Sequence, residues 1–126
     1  MKNPIVWLEI AATDLERAKV FYGKVFGLEF KLIDMPDQKM YAFGSEDPNT
    51  CGSSGCLMKS EYSKPSTEGT IVYFSCEDLS VELARVEEAG GKIIIPKTDI
   101  GEFGFFAHII DTEGNKIGLH SIEKTC

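Results

Sequence analysis

Sliding the chain 64 residues along itself brings its two halves into register: Asp14-Leu15 falls on Asp78-Leu79, Ile10 on Phe74 and Gly27 on Gly91. Identity across the shift is weak, but the order of elements repeats, and 64 is about half of 126 residues. An internal duplication is the simplest account, because one half alone would leave a sheet face uncovered and be marginally stable. The pattern predicts an α+β chain of two tandem β-α-β-β-β modules, the first over residues 1–60 and the second over 68–122.

Each module is read from local signals. Ile5–Ile10 is an apolar run bounded by Pro4 and predicts a strand. Thr13 or Asp14 offers an N-cap, and Leu15, Ala18, Phe21, Tyr22, Val25 and Phe26 recur at helical spacing. Gly27 supplies the left-handed stop. Strands are expected at Glu29–Ile33, Lys39–Phe43 and Cys56–Lys59, with a Gly/Ser/Asp-rich loop from Gly44 to Gly55. The second module repeats this: a strand at Thr70–Cys76, then a helix capped by Asp78 or Ser80, carrying Leu79, Leu83 and Val86 and ending at Gly90-Gly91. Strands at Lys92–Pro96, Phe105–Ile110 and Lys116–Ser121 follow, the last two joined by the turn Asp111–Asn115.

Composition narrows the partners. A formal charge of −7 with scattered basic residues argues against nucleic acid, whose phosphates need clustered Lys and Arg. No apolar run approaches the roughly 20 residues of a membrane span. The N-terminal residues lack the basic-then-apolar form of a secretory signal, so a cytoplasmic location is expected. Cys51, Cys56, Cys76 and Cys126 form no CxxC pair and are expected as reduced thiols.

Several short motifs, in order, resemble one superfamily. They are Trp7-Leu8-Glu9-Ile10, Asp14-Leu15-Glu16-Arg17-Ala18, Phe21-Tyr22 and Val25-Phe26-Gly27-Leu28. The second half adds Glu88-Ala89-Gly90-Gly91-Lys92, Pro96-Lys97-Thr98, Phe105-Phe106-Ala107 and the run Asp111-Thr112-Glu113-Gly114-Asn115-Lys116-Ile117-Gly118-Leu119. Together they resemble the vicinal oxygen chelate (glyoxalase/bleomycin resistance protein/dioxygenase) superfamily, in its glyoxalase-like branch related to lactoylglutathione lyase. The resemblance implies curved mixed sheets around a central cavity, a small-molecule ligand, and a homodimer with cavities at or near the subunit interface.

It also implies a metal held by four ligands, and here the chain departs from the pattern. The first ligand, usually His, corresponds to Trp7, its counterpart in the second module to Ile71, and the last-strand carboxylate to Gly118; the fourth falls near Gly55 or Cys56. Trp, Ile and Gly side chains cannot donate a lone pair, so no cofactor is predicted. The alternative is a divalent metal (Zn, Ni, Fe or Mn) on substitute ligands such as Glu9, His120 and His108.

Strand alternation sorts the remaining candidates. Val6, Leu8 and Ile10 suit the helix side, leaving Trp7 and Glu9 for the cavity. Ile117 and Leu119 likewise leave Gly118 and His120, and Tyr73 matches Glu9 in the second module. Glu9 with His120 is a candidate acid–base pair, and Trp7 a stacking surface. Tyr73, His108, Phe106 and Cys56 are candidate ligand contacts, although alternation alone does not fix which face carries His108 and Phe106. Each has a plainer reading as a wall or core residue. Gly101-Glu102-Phe103-Gly104 is a candidate lid. Three functions stay open: a metal-independent small-molecule binder with acid–base chemistry from Glu9 and His120, a metal-dependent lyase/isomerase or dioxygenase on substitute ligands, and a non-catalytic drug-sequestering protein. Lyase or isomerase activity of the glyoxalase-like kind is thus an open expectation.

Overall fold

The computed structural model of the protein describes residues 3–36, 38–47 and 49–123. The first module contains β1 (Trp7–Ala11), α1 (Leu15–Phe26), β2 (Lys31–Met35), β3 (Gln38–Phe43) and β4 (Ser54–Met58). The second contains β5 (Val72–Cys76), α2 (Leu79–Val86), β6 (Lys92–Asp99), a 3-10 turn at Gly101–Phe103, β7 (Phe105–Ile110) and β8 (Lys116–Ser121). Each module folds its strands into one four-stranded mixed sheet, in the orders β1-β4-β3-β2 and β5-β8-β7-β6. The outer pairs β1–β4 and β5–β8 are parallel and the other pairs antiparallel. The repeat visible in the sequence is thus a repeat of topology.

Both helices begin where a side chain can take an orphan amide. The Asp14 carboxylate accepts from the Arg17 N–H at 3.1 Å, and the Asp78 carboxylate from the Ser80 N–H at 3.0 Å. Ala18, Phe21, Tyr22 and Val25 form the buried stripe of α1. Gly27 then ends the helix at φ 67°, a conformation that L side chains adopt at a steric penalty.

The two modules share one core. Ile10, Tyr41, Phe43 and Leu57 from the first sheet join Ile109, Ile117 and Leu119 from the second, with both helix stripes between them. Phe74 on β5 reaches across the junction. It stacks on Phe26 with ring centroids 4.2 Å apart and also meets Tyr22 and Phe43. Such aromatic pairs contribute about 0.5–1.5 kcal/mol each beyond the area they bury.

The junction is also tied by hydrogen bonds. Glu113, from the β7–β8 turn, accepts from the backbone N–H groups of Thr13 and Asp14 at 2.9 and 2.8 Å and pairs with Arg17 at 2.7 Å. Asn115 Nδ2 donates to the Ala11 carbonyl at 2.7 Å.

Three expectations are corrected. Ile5 and Val6 stand outside β1 and are 61% and 80% exposed, because the partner strand β4 begins at Ser54, opposite Trp7. β6 continues through Pro96 to Asp99, tolerable because it is an edge strand, and its pairing with β7 shifts register on either side of Ile95. Cys51 is disulfide-bonded, whereas Cys56 and Cys76 are free and buried. Disulfide pairing follows proximity in space, which cysteine spacing does not reveal. Cys126 lies outside the described residues. Among those residues no helix is long and apolar enough to cross a membrane.

Candidate functional site

The helices cover one face of each sheet and leave the other open. On the first sheet the open face follows from the pairings Glu9↔Cys56, Ala42↔Cys56 and Met40↔Met58, since paired side chains project to the same side. Trp7 and Glu9 therefore share this face with Cys56, Met58 and Met40. The Trp7 indole N–H donates to Glu9 Oε2 across a long 3.4 Å. Glu9 lies on the side expected of it but is exposed, so in the single chain its carboxylate is not desolvated. Cys56 is fully buried with Met40 and Met58. Burial, reinforced by the neighbouring Glu9 charge, pushes its thiol up to about 11, which leaves it unreactive near neutral pH.

On the second sheet, β8 lies between β5 and β7. The register pairs Gly118 with Tyr73 on one side and His108 on the other, and His120 with Ser75 and Phe106. Tyr73, His108, Phe106 and His120 consequently share the open face, which settles the side of β7 that the sequence left undecided. The Tyr73 hydroxyl lies 2.7 Å from His108 Nε2. His108 also meets the Phe106 ring edge-to-face, with centroids 5.3 Å apart. Burial, and then the charge of Lys116, lowers the His108 pKa below 6.5, so its imidazole is neutral at pH 7. His120 Nε2 lies 2.7 Å from the Phe103 carbonyl, an atom that can only accept, so this nitrogen carries the proton.

A cavity of about 380 Å³ opens on this face, lined by Tyr73, Ile100, Phe106 and His120. Ile100 was not among the residues singled out from the sequence; its only signal is an apolar side chain just before the Gly101–Gly104 loop. That loop follows Ile100 directly in the chain and is pinned at several points. Gly101 N–H donates to Asp99 Oδ1 at 2.8 Å and Ile100 N–H to the Gly104 carbonyl at 2.9 Å. A smaller cavity of about 210 Å³ lies at the seam between the sheets, with Glu9, Val72, Asn115 and Lys116 in its wall. Glu9 and His120 sit on different sheets and hold different partners, Trp7 and Phe103.

The superfamily's metal does not fit these residues. A Cβ built on Gly118 would lie 2.3 Å from the Tyr73 ring, so Tyr73 occupies the space that a ligating side chain at this position would need. Trp7, in the first-strand ligand position, has only an N–H to offer. Among the described residues no group of three or more His, Cys, Asp or Glu side chains is placed to hold an ion. Replacing Gly118 by Ala is expected to destabilise the fold by about 1–3 kcal/mol through overpacking. In a Tyr73→Ala background the same replacement should be nearly neutral, a coupling that a denaturation double-mutant cycle reads directly.

Residues 4–119 match the model of the Glyoxalase/Bleomycin resistance protein/Dioxygenase superfamily, and the chain belongs to that family. A glyoxylase-like domain-containing protein of Didymella fabae is 33% identical over 122 residues, covering 91% of each chain. Among solved structures, a variant of glyoxalase I from Zea mays superposes with a TM-score of 0.74 at 22% identity, covering 94% of this chain but 46% of the maize one. TnmS3, an antibiotic binding protein from Streptomyces sp. CB03234, superposes with a TM-score of 0.68 at 19% identity, covering 97% of this chain and 98% of its own. The chain is therefore as long as the Didymella and Streptomyces proteins and about half as long as the maize enzyme.

Proposed function

We propose that the protein binds a small organic molecule on the open face of its second sheet, and that two copies pair so that the first sheet of one closes over the second sheet of the other. The observation that carries this reading is the pair of aromatic open faces. Trp7 is 43% exposed and Tyr73 50%, beside a cavity within the usual range for small-molecule sites. The maize relative supports the pairing, since one of its chains is about twice as long as this one. Light scattering should give twice the monomer mass, and Trp7→Ala should weaken the association; a monomer at all concentrations would overturn the pairing.

Within that reading the protein acts as a binder that need not break a bond, as supported by the antibiotic binding protein of the same fold. Acid–base chemistry by Glu9 and His120 is the second reading. It requires the paired arrangement, because the two residues stand on different sheets of one chain. Glu9→Gln separates the readings. A binder keeps its affinity, whereas an enzyme using Glu9 loses turnover by about 10²–10⁴-fold.

A further inference from the structure

Among the described residues lining the cavity, Tyr73 carries the only hydroxyl, and it pairs with His108. Because Gly118 has no side chain, the Tyr73 ring lies flat against β8, and its hydroxyl crosses that strand to reach His108 on β7. A residue with a side chain at position 118 would lift the ring and separate the pair. The other residues around the cavity present mainly carbon: Ile100, Phe106, and His120, whose Nε2 is engaged by the Phe103 carbonyl.

The pair can be protonated in two ways. A neutral His108 either accepts the Tyr73 proton at Nε2, or carries its own proton there and donates to the Tyr73 oxygen. Only the second arrangement frees the Tyr73 O–H to point into the cavity, and it creates two hydrogen bonds running in the same direction, each polarising the next. A ligand oxygen that accepts a hydrogen bond selects it. The local charges favour such an oxygen. Lys116, Gly118 and His120 follow one another on β8 in steps of two residues and so lie on the same side, and the open-face positions of β5, β7 and β8 hold no Asp or Glu.

We infer that Tyr73, positioned by His108, is the polar anchor of this site and selects flat, uncharged aromatic molecules carrying a ring carbonyl. The inference rests on the binding-site reading above and names the ligand chemistry of that site. The aromatic side chains supply stacking surface for two or three fused rings, and Tyr73 supplies the single hydrogen bond that distinguishes a ketone from a hydrocarbon of the same shape.

Two nearly isosteric probes test it: 9-fluorenone, with one carbonyl, and fluorene, with a methylene in its place. Equilibrium dialysis against the full chain should show fluorenone held about 5–10-fold more tightly than fluorene. Tyr73→Phe, which keeps the ring over Gly118, should remove that preference and leave fluorene binding unchanged. The pH profile tests the role of His108. Its titratable neighbours on this face are Tyr73 on β5, Lys116 and His120 on β8, and Lys92 on β6, which stands opposite Ile110, while β6 presents Ile95 opposite His108 itself. Protonated His108 donates from both nitrogens and fixes the Tyr73 O–H outward. The preference for fluorenone should therefore grow as pH falls below neutrality in the wild type and in His120→Gln, and stay flat in His108→Leu.

Equal binding of the two probes by the wild type, or a preference that survives Tyr73→Phe, would overturn the anchor and leave the binding site standing. A preference whose pH dependence survives His108→Leu would remove His108 from the positioning role assigned to it. Failure of both probes to bind would overturn the binding-site reading itself, and the anchor with it.

Discussion

Replacing Asp111 by Ala is expected to lower the unfolding free energy by about 3–5 kcal/mol and the melting temperature by ~10–20 °C. One carboxylate oxygen accepts from the backbone N–H groups of Glu113, Gly114 and Asn115 at 2.9, 2.9 and 2.8 Å. The other accepts from the Tyr22 hydroxyl at 2.5 Å and from Asn115 Nδ2 at 2.9 Å. Asp111 is 4% exposed and Tyr22 fully buried, so water does not readily replace the lost acceptor. Burial, with the Asp111 charge and hydrogen bond added, already holds the Tyr22 phenol well above its usual pKa, and it stays a neutral donor. Urea denaturation at constant m-value measures the change. Tyr22→Phe in the Asp111→Ala background should recover part of it by removing one stranded donor. A loss below about 1 kcal/mol would show that the turn finds other acceptors.

Glu113→Gln is expected to cost about 1–3 kcal/mol at pH 7 and to remove a pH dependence that the wild type shows in acid. Burial alone would raise the carboxyl pKa. Hydrogen bonds from Arg17, the Asp14 amide, Thr112 and Thr13 outweigh it and hold the group at about 2. The folded value thus lies below the unfolded one, near 4.3. Its contribution is fully present above the unfolded value and is lost as pH falls through about 2. Wild-type stability should therefore decline between roughly pH 4.5 and 2 by more than that of Glu113→Gln. An unchanged acid limb in the variant would assign that decline to other carboxylates.

What the sequence disclosed follows the range of the interactions involved. Asp14, Asp78 and Gly27 act on amides and dihedrals within a few residues, so both N-caps and the end of α1 were legible, whereas α2 stops at Val86, short of the Gly90-Gly91 stop expected. Alternation placed Trp7, Glu9, Tyr73 and His120 on the open faces, because the pleat is a local property. It did not place His108, since β7 carries apolar residues on both sides and only its register against Gly118 decides. Nor does a face imply a distance: Glu9 and His120 both point away from the helices yet belong to different sheets. The least legible feature was the Glu113 and Asp111 network. Asp111–Asn115 reads as a turn from its residues alone, whereas its partners Thr13, Arg17 and Tyr22 lie 89 to 100 positions earlier in the chain.

The proline within β6 has a consequence at high protein concentration. An outermost strand is an open invitation to any extended peptide, which can add itself by main-chain bonding and propagate into a fibre. On β6, Pro96 contributes no amide proton, and the register changes around it, so an incoming strand finds no unbroken run of partners. The second sheet is thereby kept from growing at this border by main-chain pairing.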